Sequence, residues 1–206
     1  MYLSQEEILS HLNKDIFRII SEAADELNLE CYLIGGFVRD FFLYRPSNDT
    51  DVVAVGSGID LAKLVAKKLG SKKIKGSKLS VFKNFGTAQI KYKGFEVEFV
   101  GARKESYSFD SRKPAIEEGT LEDDQKRRDF TINAMAYNPT TGLVDEFNGK
   151  QDLEDKIIRC VGDPNERFEE DALRMLRALR FSAQLGFEIE ENTKKAIKNN
   201  VQLLRN

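Results

Sequence analysis

Two acidic residues separated by one residue, Asp49 and Asp51, are the first candidates for chemistry in this 206-residue sequence. They enter the apolar segment DVVAV, which predicts a β-strand, and side chains at positions i and i+2 of a strand point to the same face. Two carboxylates at this spacing can share divalent cations. Glu98, in the alternating segment FEVEFVG, offers a third carboxylate on the polar face of another predicted strand. For each acidic residue taken alone, an exposed strand surface is the simpler interpretation.

A glycine pair, Gly35 and Gly36, follows the apolar segment CYLI and precedes a short segment that predicts a helix ending before Pro46. Glycines at such a turn let backbone N–H groups approach a phosphate. Arg39, one helical turn later, would place a positive charge beside the same anion. A glycine pair alone predicts only a turn, but the glycines, the arginine and the carboxylates together describe a site for a metal-bound triphosphate.

The segment EEDALRMLRALR carries polar residues at helical spacing. Asp171 and Arg174 are three positions apart, and Arg177 and Arg180 continue along the same predicted helix face. Cytosine and adenine both present an amine donor beside a ring-nitrogen acceptor, whereas guanine and uracil present the reverse order. Because an aspartate carboxylate only accepts and an arginine only donates, this pair could accept C and A and reject G and U. An ion-paired, solvated helix face is the alternative.

The elements that must position these residues follow from periodicity and punctuation. Residues 4–28 predict a helix that begins at a capping box of Ser4 and Glu7. IDLAKLVAKKLG predicts a helix with Gly70 just past its end, and TAQIKYKG and FEVEFVG predict a hairpin joined at Lys93 and Gly94. CYLI and DVVAV predict buried strands, so the first part of the chain combines a sheet with helices.

The second part of the chain is less regular. Residues 103–126 are polar and contain Pro114 and Gly119, which predicts a long mobile loop. Residues 139–164 predict turns and short strands, and ERFEEDALRMLRALRFSAQLGF predicts one strong helix carrying three spaced leucines. A polar helix from about Asn192 runs to Asn206 without a stop signal, so we expect the natural chain to continue.

Composition excludes several classes of function. The 32 basic and 34 acidic residues nearly balance, so net charge does not indicate a polyanion-binding surface. A single histidine, His11, in an amphipathic segment argues against histidine zinc sites and catalytic triads. Cys31 and Cys160 lie in apolar segments and are expected to be reduced core residues. We expect a cytoplasmic protein with no membrane contact, because no apolar run is long enough to span a bilayer.

The segment GGFVRDFFLYRPSNDTDVV resembles the first signature of the class II tRNA nucleotidyltransferase (CCA-adding enzyme) and bacterial poly(A) polymerase family. The resemblance continues in order through EFVGARKESY, RRDFTINAMAY and GLVDEFNGKQDLEDKIIRCVGDPNERFEEDALRMLRALRF, and it covers roughly residues 31–187. It implies an α+β fold: a polymerase-β-like nucleotidyltransferase head, a small mixed sheet flanked by helices, over residues 1–160. The start of an α-helical neck would follow over residues 161–206, shorter than in full-length members.

The resemblance also implies a mechanism. Asp49, Asp51 and Glu98 would be the catalytic residues and would hold two Mg²⁺ ions for attack of an RNA 3′-hydroxyl on the α-phosphate, with release of pyrophosphate. The residues expected to bind the nucleotide are Gly35, Gly36, Arg39, Arg128, Asp129, Asn133, Glu170, Asp171, Arg174, Arg177 and Arg180. Among them Arg128 is suited to the triphosphate, Asp129 to the ribose hydroxyls, and Asn133 to supporting the site.

CTP, ATP and the 3′ end of tRNA are the partners that the resemblance implies, and the oligomeric state stays open. Within the family, CCA addition is the main expectation, and CC addition, A addition and poly(A) synthesis are alternatives. The loop from Arg103 to Lys126, with Arg112, Lys113 and Pro114, resembles the flexible loop that CCA-adding members use for the terminal A. A nucleotide-binding module without transferase activity is the alternative from another class, and the three retained carboxylates argue against it.

Overall fold

A seven-stranded sheet forms the centre of the molecule in the computed structural model, which describes residues 15–71, 77–108 and 111–205. Its strands, in chain order, are β1 (Cys31–Ile34), β2 (Asp49–Ala54), β3 (Lys78–Phe82), β4 (Thr87–Tyr92), β5 (Phe95–Gly101), β8 (Ala136–Asn138) and β9 (Gly142–Val144). They are arranged in the order β3-β4-β5-β2-β1-β8-β9. β2 and β5 are parallel, and the other neighbouring strands of this sheet are antiparallel. This mixed sheet confirms the predicted α+β fold.

Helices cover one face of the sheet and bury its main core. α1 (Asp15–Glu26) and α3 (Gly58–Ser71) pack against each other, and α3 also packs on β4 and β5. α1 buries the apolar side of its amphipathic sequence, including Ile16, Ile19 and Ile20. The predicted helix over residues 4–28 is confirmed over the described part, whereas its capping box and His11 lie outside the described residues. α3 continues one residue past Gly70 rather than ending before it.

The predicted hairpin between β4 and β5 is confirmed. Lys93 and Gly94 both have positive φ angles, 45° and 84°, as a two-residue hairpin turn requires. The short helix before Pro46 is also confirmed as α2 (Gly36–Phe42). Cys31 and Cys160 are buried free thiols, and burial raises their pKa values to about 11 and about 12.

The predicted loop over residues 103–126 is wrong. The segment forms the antiparallel strands β6 (Arg103–Ser108) and β7 (Ser111–Glu118), followed by helix α4 (Leu121–Lys126). Polar strands can pair here because opposite charges face each other across the ladder, as Lys104 does Glu117. Thr120 and Asp123 form a capping box that begins α4. The polarity of the segment therefore concealed a regular element.

The predicted long helix after residue 164 is also wrong, because it is two helices. α6 (Pro164–Glu170) ends at Asp171, whose extended backbone (φ −151°, ψ 102°) separates it from α7 (Leu173–Leu185). The Asp171 carboxylate accepts a hydrogen bond from the Leu173 backbone N–H at 3.0 Å, so the aspartate competes with helix continuation. The three predicted stripe leucines of α7 are about half exposed, at 58%, 49% and 52% for Leu173, Leu176 and Leu179.

The remaining elements connect this region to the sheet. α5 (Gly149–Glu154) lies where turns and short strands were predicted, and Asp145 begins it by accepting from the backbone N–H groups of Gly149 and Lys150. β10 (Ile157–Ile158) pairs in parallel with β11 (Glu188–Ile189), across the predicted domain boundary at residue 160, which stays a prediction. α8 (Glu191–Asn200) is followed by a 3₁₀ turn, residues 201–205, in place of one continuous terminal helix. Within the described ranges, no helix is long and apolar enough to cross a membrane.

Candidate active site

The turn between β1 and α2 brings the backbone of Gly35 against charged side chains. Gly35 has a φ of +77°, and a Cβ placed there would lie 2.8 Å from Nη1 of Arg128 and 3.5 Å from Oδ2 of Asp51. Two reasons favour glycine at this position: the backbone conformation disfavours a side chain, and neighbouring atoms already fill the space that a Cβ would occupy. The sequence predicted the turn, and the structure adds the arginine and the aspartate that meet it.

Parallel pairing of β2 with β5 places the three predicted carboxylates on one face of the sheet. Asp51 is the register partner of Glu98, and Asp49, two residues before Asp51, is the partner of Glu96. Glu96 is bound by Lys91 and by the amide of Gln89, which donates to it at 3.1 Å. The register therefore selects Glu98 over Glu96 as the third carboxylate beside Asp51.

Asp51 lies in an environment that opposes its negative charge. Burial raises the pKa of its carboxyl above the ordinary value, the neighbouring charges of Glu98 and Asp49 raise it further, and Arg128 opposes these effects. Carboxylates that repel one another in a partly buried site provide the hard oxygen donors that a divalent cation prefers. Asp49, Asp51 and Glu98 thus offer the right donor atoms for such an ion on one face of the sheet. In the described part of the chain, no three acidic, histidine or cysteine side chains converge closely enough to form a metal site.

A cleft of about 620 Å³ opens beside Asp51, between the sheet and α7. Its lining is strongly cationic, with six arginines against three aspartates. The lining residues are Gly36, Arg39, Asp51, Arg127, Arg128, Asp129, Asn133, Asp171, Arg174, Arg177, Arg180, Phe181 and Gln184. A cleft of this charge suits a polyanion such as a triphosphate. Asp49, Glu98, Gly35 and Glu170 are predicted site residues that do not line it.

A buried chain of hydrogen bonds joins three elements across the floor of the cleft. Arg39 of α2 donates from Nη1 to Oδ1 of Asn133 at 2.9 Å, and the Asn133 amide donates to Oδ1 of Asp129 at 3.1 Å. Arg177 of α7 donates from Nε to the other oxygen of Asp129 at 2.6 Å. All four are predicted site residues, and the structure brings them together.

The predicted base-reading residues are arranged differently from the sequence expectation. Asp171 and Arg174 both line the cleft, but the break at Asp171 means that they do not share one continuous helix. The buried guanidinium of Arg174 donates to Oε2 of Glu170 at 2.6 Å, to the carbonyl of Arg167 at 3.1 Å and to that of Arg127 at 3.2 Å. Glu170 therefore contributes by holding Arg174.

Comparison with known proteins identifies the family. Residues 31–159 match the model of the poly(A) polymerase head domain. The chain belongs to the poly(A) polymerase head-domain family. A CCA-adding enzyme of Lactobacillus helveticus is 40% identical over 188 residues, which cover 90% of this chain and 45% of that protein. An A-adding tRNA nucleotidyltransferase of Aquifex aeolicus is 40% identical over 179 residues, which cover 85% of this chain and 21% of that protein.

Solved structures agree with this assignment. A CCA-adding enzyme in an apo form has a TM-score of 0.81 and 33% identity, covering 98% of this chain and 48% of that one. A tRNA nucleotidyltransferase complexed with a primer tRNA and an incoming ATP analogue has a TM-score of 0.76 and 38% identity, covering 89% and 50%. The chain thus spans about half the length of these CCA-adding relatives and solved structures, and 21% of the A-adding enzyme.

In this poly(A) polymerase head domain, three cleft residues were missed by the sequence analysis: Arg127, Phe181 and Gln184. The Phe181 ring lies within 5.0–5.5 Å of the guanidinium carbons of Arg39, Arg177 and Arg180. Its position four residues after Arg177 was the available signal, since residues at this spacing are neighbours on a helix. Arg127 directly precedes the predicted Arg128, and nothing in the sequence set Gln184 apart.

Proposed function

We propose that the chain is the catalytic part of a CCA-adding tRNA nucleotidyltransferase, which transfers CMP and AMP from CTP and ATP to the 3′ end of tRNA and releases pyrophosphate. One observation carries the proposal: a single cleft joins Asp51, Arg128 and the pair of Asp171 and Arg174. Such a cleft combines groups suited to metal binding, to a triphosphate and to base selection. The activities by which the relatives are named support the same reaction.

The residues in and beside the cleft would have different roles. Asp49, Asp51 and Glu98 would hold Mg²⁺, which when bound activates the 3′-hydroxyl and offsets negative charge on the departing pyrophosphate. Arg128, beside Asp51, would neutralise the triphosphate during transfer, as fixed cations do at sites of developing charge. Asp129 would accept from a ribose hydroxyl while Arg177 and Asn133 hold it in place. This chemistry needs no covalent intermediate.

Base selection would rest on Asp171 and Arg174. The aspartate would accept from the exocyclic amine of cytosine or adenine, and the arginine would donate to the ring nitrogen. Guanine and uracil would place an acceptor opposite the aspartate and a donor opposite the arginine. The unsatisfied polar groups would cost about 1–3 kcal/mol each. Arg174 is restrained by Glu170 and by two backbone carbonyls, so it has a defined orientation from which to read the base.

The organisation of the protein belongs to the same proposal. Residues 1–160 would form the head and residues 161–206 the beginning of a helical neck that brings α7 to the cleft. The two buried free thiols fit action in the reducing cytoplasm. A addition alone is the second candidate function, favoured by the similarity to the A-adding enzyme of Aquifex aeolicus.

Binding of the four ribonucleoside triphosphates to this chain in Mg²⁺ tests the proposal. We expect similar affinities for CTP and ATP, and affinities about tenfold weaker for GTP and UTP. Exclusive binding of ATP would favour A addition instead. Four equal affinities would refute base selection by Asp171 and Arg174.

Two aspartates that each accept from a backbone N–H near the start of a helix offer a matched pair of variants for this assay. Asp171 accepts from the backbone N–H of Leu173 ahead of α7 and lines the cleft, whereas Asp163 accepts from that of Asn165 at the start of α6 and does not line it. We expect Asp171→Ala to abolish the preference for CTP and ATP. Asp163→Ala should lose a comparable helix cap but keep the preference.

A further inference from the structure

One carboxylate behind the cleft is completely buried and contacts two of the arginines that line the cleft. Asp124 of α4 is 0% exposed and has no role in the mechanism proposed above. Its Oδ1 accepts from Nε and Nη2 of Arg127, at 2.8 and 2.5 Å. Its Oδ2 accepts from Nε and Nη2 of Arg128, at 3.2 and 3.1 Å. Each carboxylate oxygen of Asp124 thus accepts from the Nε and Nη2 groups of one guanidinium.

This arrangement fixes which edge of each guanidinium stays available. The remaining Nη1 of Arg128 lies 3.4 Å from the carbonyl of Asn133 and close to Gly35, on the side of Asp51. Nη1 of Arg127 points to Glu105 of β6, at 3.4 Å. Asp124 therefore sets the direction of both cations, and burial makes a competing arrangement with water expensive.

Helix α4 holds Asp124 rigidly although the helix is short. Its first turn is closed by the capping box of Thr120 and Asp123, whose side chain and backbone groups bond reciprocally. Next to Asp124, the Gln125 amide donates to the carbonyls of Ala134 at 2.8 Å and Val144 at 3.2 Å. Gln125 thereby anchors α4 to β9 and to the residues just before β8, which fixes the position of the Asp124 carboxylate.

We propose that Asp124 is a positioning residue that orients Arg128 toward the triphosphate and holds Arg127 beside it in the cleft wall. This role rests on the proposed function. Two carboxylate oxygens are needed because each serves a different arginine, and an asparagine has only one acceptor oxygen. In Asp124→Asn, the amide N–H₂ would face the N–H groups of one guanidinium and release that arginine. Charge alone predicts the opposite result, since removing a negative group near the cleft would strengthen binding of an anion.

Nucleotide affinities of Asp124→Asn separate orientation from charge. We expect CTP to bind about tenfold more weakly, the loss to shrink for CDP, and CMP binding to change by less than about twofold, because Arg128 acts on the phosphates. Asp124→Glu keeps two carboxylate oxygens and should recover part of the CTP affinity. Tighter CTP binding by Asp124→Asn, or an equal loss for CTP and CMP, would overturn the proposal.

A second buried carboxylate provides the control for stability. Asp152 is 4% exposed and binds Arg159, at 3.1 Å, and Thr131, at 2.6 Å, without lining the cleft. Asp152→Asn should lower the melting temperature as Asp124→Asn does, yet bind CTP like the wild type. If both variants lose CTP affinity equally, Asp124 has only a structural role.

Combination with Arg128→Gln shows whether Asp124 acts through that arginine. Adding Asp124→Asn to Arg128→Gln should weaken CTP binding by less than about threefold, whereas full additivity would contradict a path through Arg128. This comparison also stands if Asp124→Asn alone is unstable, because Asp124→Glu can replace it in the cycle. Failure of the wild-type chain to bind any nucleoside triphosphate would instead refute the proposed function, and this role of Asp124 with it.

Discussion

Replacing Gly35 by alanine should damage both the stability of the fold and the cleft. The backbone there has φ 77° and ψ −137°, a conformation that a residue with a side chain adopts at a cost of about 1–3 kcal/mol. The new Cβ would also lie 2.8 Å from Nη1 of Arg128, so the guanidinium must move away from Asp51. For a chain of this size the strain corresponds to a fall in melting temperature of about 2–4 °C per kcal/mol.

Two other glycines isolate the contributions to this effect. Gly86 has a φ of +66° with open space around it, so Gly86→Ala should show backbone strain of about 1–2 kcal/mol without displacing a side chain. Gly70 lies in the last turn of α3, and a Cβ added there would meet no atom of the described residues within 4 Å. Gly70→Ala should therefore stabilise the helix by up to about 1 kcal/mol.

Thermal unfolding and CTP titration of the three variants complete the test. We expect Gly35→Ala to lose both stability and CTP affinity, Gly86→Ala to lose stability only, and Gly70→Ala to lose neither. A Gly35→Ala variant that melts and binds CTP like the wild type would refute the close approach of Arg128 to this turn.

Two further substitutions test the charges and the aromatic contact of the cleft. Because burial raises the pKa of Asp51, its ionisation disfavours the folded state at neutral pH, so Asp51→Asn should raise the melting temperature near pH 7 in metal-free buffer. This gain should vanish as the pH falls below the ordinary carboxyl value of 3.8, and Mg²⁺ should stabilise the wild type more than the variant; a gain that persists at low pH would contradict the electrostatic origin. Phe181→Ala removes a ring that is 6% exposed and should cost about 3–5 kcal/mol in the free energy of unfolding. Phe181→Leu should cost less than about 1.5 kcal/mol yet still weaken CTP binding, since leucine offers no π face to the three guanidiniums; unchanged binding would show that the ring only fills space.

The sequence was informative where periodicity and burial agree. The strand that carries Glu98 alternates between buried apolar positions and less buried polar ones, so its faces could be predicted before the register was known. The strand that carries Asp51 ends in three consecutive buried apolar residues, which predicted a buried strand. The glycine turn was recognisable because two consecutive glycines directly follow an apolar strand segment. In each case a local pattern and the tertiary environment favour the same conformation.

The pattern failed where polar residues build or interrupt regular elements. The β6–β7 hairpin has few apolar residues, and its pairing depends on charges that face each other only after the strands meet. Asp171 lies in a strongly helical segment, but its carboxylate caps the following helix and interrupts it. Asp124 lies three and four residues before Arg127 and Arg128, but its segment was predicted to be a loop, so this helical spacing was not recognised.

The parallel pairing of β2 with β5 has a consequence for the order of folding. Two parallel strands cannot be joined by a tight turn. Here α3, β3 and β4 lie between β2 and β5 in the sequence, so they are synthesised before β5 can enter the sheet between β4 and β2. Closing such a long segment is slow relative to forming a hairpin. During synthesis, Asp51 would therefore leave the ribosome long before Glu98 joins it, and α7 arrives later still. The growing chain would therefore become able to hold a nucleotide only after α7 has been synthesised.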